Sequence, residues 1–116
     1  MRAERERRFI AEFMVETFQP DQYMLNVPLG AIPDDLIKLY GINGAAAVFR
    51  PSRRRIDAVA WTMHKYILIE AKIRDPMEGL GRLNTYYTMA QRTPDLPEYH
   101  GQEFEKWLVV PFSLAW

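Results

Sequence analysis

Apolar and polar positions alternate most regularly between Ile56 and Lys72. Asp57 to Trp61 and Tyr66 to Ile73 are rich in β-forming residues, and the polar Met63-His64-Lys65 between them predicts a hairpin. Along the second run, Ile67, Ile69, Ala71 and Ile73 share one face, and Tyr66, Leu68, Glu70 and Lys72 share the other. The first of these faces is wholly apolar. The second carries a carboxylate and an ammonium where an apolar side chain would cost less to bury.

Helical periodicity dominates elsewhere. Phe9, Ile10, Phe13, Met14 and Thr17 form a stripe that predicts a helix over Ala3 to Phe18, with Arg2, Arg5, Arg7 and Arg8 set against Glu4 and Glu6 on its surface. At about 100° per residue, Glu6 falls inside the apolar stripe, whereas Glu12 and Glu16 lie at or beyond its edge. Gln22 to Leu29 reads as a strand that Pro28 ends or marks as an edge. Asp34-Asp35 opens a short helix through Tyr40, with Gly41 as its stop; Gly44 to Phe49 fits either an edge strand or a loop.

Asp75-Pro76 caps a further helix reaching about Arg92, with Leu80, Leu83, Tyr87 and Ala90 toward the core. Gly79 and Gly81 each cost about 1 kcal/mol relative to Ala, which a close approach of the helix to another backbone would justify. Pro94 to Lys106 reads as a polar linker, and Trp107 to Phe112 as a buried strand beside the one bearing Glu70. The order of elements is α–β–β–β–α–β, and its last crossover fits a mixed sheet.

The hairpin fixes a register. A loop at Met63-His64 pairs Trp61 with Tyr66 and therefore sets Asp57 opposite Glu70; a loop from Thr62 to Lys65 gives the same offset. Opposed carboxylates about 5 Å apart are destabilising unless something positive lies between them. Mg²⁺, commonly held by one or two carboxylates together with substrate phosphates, is the natural candidate. Lys72 points to the same side, where it could hold a water or a phosphate oxygen.

Asp57 followed by Glu70-Ala71-Lys72 on the second strand of a hairpin resembles the metal-binding signature of the PD-(D/E)XK nuclease superfamily, which includes restriction endonucleases, Holliday-junction resolvases and RecB-like nucleases. The residue before Asp57 is Ile56 rather than Pro, a departure that many members share. The resemblance implies an α/β fold with a restriction-endonuclease-like αβββαβ core and a mixed sheet. It implies Mg²⁺ or Mn²⁺ held by Asp57, Glu70 and the Ala71 carbonyl, with Lys72 assisting the nucleophile, and DNA as substrate. In the resolvase-like and RecB-like branches an acid on the first helix reaches the metal, a role that falls here to Glu6. RecB-like nucleases carry a Gln and a Tyr four apart on the later helix; Arg82 with Tyr86 is the nearest equivalent, or Asn84 in the place of Gln, so the match is partial.

Composition limits these readings. The chain has 116 residues and zero formal net charge, so affinity for DNA has to come from local patches. The one basic concentration is Arg50 with Arg53, Arg54 and Arg55, immediately before Asp57; the planar guanidinium fork of Arg53, Arg54 or Arg55 suits phosphate. The absence of cysteine excludes disulfides and thiolate chemistry, and His64 and His100 lack partners at zinc-ligand spacing. A charged N-terminus and the lack of a long apolar run predict a cytoplasmic protein with no membrane segment.

Two other readings stay open. One is a catalytically silent nuclease-fold subunit that positions DNA or supports a phage or mobile-element complex, as a homodimer or larger assembly joined through the apolar C-terminus at Leu114-Ala115-Trp116. The other is an ordinary cross-strand ion network, with Lys72 or Arg55 neutralising the two acids.

Overall fold

The computed structural model describes residues 2–111, with the side chains of residues 2 and 3 left aside. The elements are α1 (Arg2–Thr17), β1 (Tyr23–Leu29), α2 (Asp34–Phe49), β2 (Arg54–Trp61), β3 (Lys65–Ala71), α3 (Pro76–Ala90) and β4 (Glu103–Val109). The strands form one mixed sheet in the order β1-β2-β3-β4. β1 and β2 are antiparallel, as are β2 and β3, whereas β4 runs parallel to β3 after the α3 crossover.

Each face of the sheet carries one helix. On the α1 face, Ile10 and Met14 pack on Ala58, Ala60, Ile67, Ile69 and Ala71. On the α3 face, Leu83, Tyr86 and Ala90 pack on Val27, Ile56, Val59, Tyr66 and Leu68. Burial on both faces explains why β2 and β3 are apolar almost throughout. Small residues at Ala58, Ala60 and Ala71 let α1 lie close to the sheet.

Four expectations are corrected. Residues 44–49 are helical: α2 continues past Tyr40, kinked at Gly41, whose φ of 75° is a conformation that glycine adopts without steric cost. Alanines 45 to 47 favour this helix, and Ala45 is its one fully buried residue. The last strand begins at Glu103 rather than Trp107, and as an edge strand it is only half-buried. On α3 the buried positions are Gly79, Leu83, Tyr86 and Ala90, while Leu80 is exposed. At Gly79 the helix approaches side chains rather than another backbone: a Cβ there would lie 2.5 Å from Leu108 Cδ1 and 2.8 Å from Lys72 Cγ, whereas one at Gly81 would have nothing within 4 Å. The expected docking segment Leu114-Ala115-Trp116 lies outside the described residues, as does Phe112.

Candidate metal and nucleic-acid site

The hairpin register is the expected one. Trp61 faces Tyr66, and the ladder runs to Ala58 opposite Ile69. One step further, at Asp57 and Glu70, side chains replace the ladder. The Asp57 N–H donates to Glu70 Oε1 at 3.1 Å, and the Ala71 N–H donates to Asp57 Oδ2 at 2.8 Å.

On its other side, Asp57 also lacks a regular partner. β1 and β2 pair at Leu25–Ala58 and at Val27–Ile56, but not between, at Asn26 and Asp57. Asn26 has a φ of 55°, in the left-handed region that Asn tolerates better than most residues. The consequence is visible in the packing. Ile56 and Val59 both join the α3-side core, although strict alternation would put them on opposite faces. Both strands therefore switch faces at this point, as at a β-bulge, which is a common way of re-aiming a side chain beside a functional site.

This corrects the expectation that the two acids share one face of the sheet. Glu70 follows Tyr66 and Leu68 on the α3 side, whereas Asp57 lines a cavity on the α1 side with Arg7, Ile10, Leu25 and Asn26. The two acids meet through the opened ladder, not as neighbours on one regular face.

Their electrostatics follow from that contact. Glu70 is almost fully buried. Burial and then the charge of Asp57 push its carboxyl up to about 8. Burial also raises Asp57, partly countered by the Ala71 N–H. The contact between the two carboxyl groups acts on them in opposite senses, lowering Asp57 and raising Glu70, which favours the proton on Glu70. Without a cation, the pair is stable only with one charge removed.

The surrounding groups come from three elements. Glu6 on α1 lies near enough to raise Asp57, yet its carboxylate accepts from the Ile73 N–H at 3.3 Å. Lys72 is buried, with its Nζ 3.4 Å from Glu78, and Glu78 also takes Arg82 at 2.8 Å. The Arg82 charge is felt by Asp57, Glu70 and Tyr86. Burial, then the field of Glu70, raises the Tyr86 phenol, and Arg54 acts on it in the opposite sense. Arg82, Tyr86 and Arg54 thus flank the acids. Arg55 is half-buried on β2, beside Pro28 of β1.

Arg53 is placed differently from the phosphate-binding role expected of it. Its side chain is 1% exposed and forms a two-pronged ion pair with Asp95, at 2.9 Å and 2.7 Å, and it also donates to the Gly30 carbonyl. A guanidinium so enclosed is unavailable to a phosphate. Sequence reasoning missed Glu78, Arg7 and Asn26. The Glu78–Arg82 spacing of four was a readable signal for the first; nothing in the sequence singled out the other two.

The two carboxylates offer hard oxygen donors of the kind that Mg²⁺ or Mn²⁺ takes. Among the described residues no three His, Cys, Asp or Glu side chains are gathered for a metal, so Glu6 does not complete a triad of acids. Among the described residues, no helix is long and apolar enough to cross a membrane. Comparison with protein-family models, curated proteins and solved structures finds no match.

Proposed function

We propose that the chain is a metal-dependent DNA nuclease of the PD-(D/E)XK type, with a restriction-endonuclease-like core. The observation that carries this reading is the Asp57–Glu70 contact: two acids brought together through a broken ladder, desolvated, and with no cationic side chain in hydrogen-bonding contact with either among the described residues. Structural ion pairs place opposite charges together; here two acids share one desolvated contact, which a divalent cation would favour in its doubly ionised form.

Asp57, Glu70 and the Ala71 carbonyl would hold the ion, and Glu6 stands behind them through Ile73. A bound Mg²⁺ or Mn²⁺ supplies polarisation of a phosphoryl oxygen and a lowered pKa for water. Lys72, aimed by Glu78, places an ammonium where it can orient the nucleophile or stabilise developing negative charge. Arg82, Arg54 and Arg55 are the candidate contacts to the DNA backbone, and Tyr86 shapes the wall beside Glu70. The match between the sequence Asp57…Glu70-Ala71-Lys72 and the superfamily signature supports the assignment.

Plasmid and oligonucleotide DNA incubated with Mg²⁺ test it. Wild-type protein should cleave, and Asp57→Ala, Glu70→Ala and Lys72→Ala should each lower the rate by about 100-fold or more. Cleavage at the wild-type rate by any of the three variants removes that residue from the mechanism. A chain with no metal binding and no cleavage is instead a silent, DNA-positioning subunit.

A further inference from the structure

The break in the sheet at Asn26 and Asp57 leaves a space as well as a bond. Between α1 and β1 lies a cavity of about 370 Å³ lined by Arg7, Ile10, Leu25, Asn26 and Asp57. It is at the small end of ligand pockets, which run from about 300 to 1,000 Å³. That volume suits one nucleotide and is too small for a base pair.

Its lining divides by chemistry. Ile10 is buried and Leu25 is 39% exposed, so together they offer an apolar wall, part of which is left open to solvent. Asn26 carries an amide with both donor and acceptor groups. Arg7 is exposed and takes part in no ion pair among the described residues, unlike Arg53 and Arg82. Asp57 lines the same cavity, beside the proposed cation. An apolar wall, a hydrogen-bonding amide and a free guanidinium in one cavity with a metal-binding acid match the base, its edge and the phosphate of a nucleotide. An isolated small anion would leave the apolar wall unused.

We propose that this cavity is a one-nucleotide subsite of the same centre, taking an unpaired base of a DNA strand against Ile10 and Leu25 with Arg7 on its phosphate. The inference rests on the nuclease reading and narrows it. A base inside a duplex cannot enter unless it is extruded, at a cost of a few kcal/mol. The preferred substrate is therefore single-stranded DNA, or a frayed or tailed end.

Binding measured apart from cleavage tests the proposal. Fluorescence anisotropy with a labelled single strand and the matching blunt duplex, in Ca²⁺, should show the single strand bound about 10-fold more tightly. Leu25→Trp, which fills the cavity from a part-exposed position, and Arg7→Ala should each weaken the single strand by about 10-fold while leaving duplex binding and the melting temperature unchanged. Arg7→Lys should recover part of the loss. Equal affinity for the two DNA forms, or unaltered single-strand binding by Leu25→Trp, overturns the subsite even if Mg²⁺-dependent cleavage is present. Cavity-dependent binding without any cleavage in Mg²⁺ keeps the subsite and removes the nuclease reading.

Discussion

Two buried ionic clusters lie on this sheet, and they are built on opposite principles. Arg53 and Asp95 bring opposite charges together in a two-pronged pair, with the Gly30 carbonyl taking a further guanidinium N–H. Asp57 and Glu70 bring two acids together, and burial followed by the charge of Asp57 pushes the Glu70 carboxyl up to about 8. The first cluster is electrostatically complete as it stands and ties the loop after α3 to the start of β2. The second gathers two acids with no cationic side chain in hydrogen-bonding contact with either among the described residues. Burial of charge alone therefore does not distinguish the two clusters; the balance of charge within each does.

That contrast can be broken by substitution. The largest effect on stability is expected from Arg53→Met, which leaves Asp95 without its partner: about 3–5 kcal/mol lost in denaturant unfolding, toward the lower figure because Asp95 is partly exposed. Metal affinity in the surviving folded protein should be unchanged. A loss below 1 kcal/mol would mean that the pair is not structural.

Glu70→Gln should act in the other direction. In the folded chain Glu70 keeps its proton up to about pH 8, whereas its ordinary value is 4.5. The folded state thus binds more protons across this window, so the stability contribution is full below about 4.5 and is lost as pH rises toward 8. Gln imitates the protonated acid at every pH. The variant should be more stable than wild type by about 1–3 kcal/mol at pH 8 and indistinguishable at pH 4.5, read as melting curves over that range. A pH-independent difference contradicts the proton-sharing pair.

Gly79→Ala should cost about 1–3 kcal/mol, because the new methyl meets Leu108 and the stem of Lys72. It should also lower cleavage by displacing Lys72. The smallest stability effect is expected for Lys72→Met, under about 1 kcal/mol, since Glu78 keeps Arg82 and is itself 44% exposed. Here activity and stability should separate most clearly, with cleavage lost in a protein that melts normally.

The hairpin and its offset were legible because a tight turn transmits its register along both strands, and Trp61–Tyr66 pairing follows from it. Helix α1 and the Asp75 cap were legible from periodicity and local chemistry. The break in the ladder was not, since it depends on the backbone of Asn26 in a neighbouring strand. Arg53 could not be told from Arg54 and Arg55, because its partner Asp95 is distant in sequence and only the fold brings it near. The residue run from 44 to 49 is short, apolar and bounded by glycine, a pattern that helix and strand share. For the edge strand β4, an apolar sequence overstated burial because among the described residues only β3 pairs with it.

The central claim is that the Asp57–Glu70 pair awaits a divalent cation. Calorimetric titration with Mg²⁺ and with Mn²⁺ at pH 8 tests it most directly, with Asp57→Ala and Glu70→Ala beside wild type. The account predicts one site per chain in wild type, weakening as the pH falls and Glu70 regains its proton, and no site in either variant. Absence of binding in wild type, or binding that survives Glu70→Ala unchanged, would contradict it.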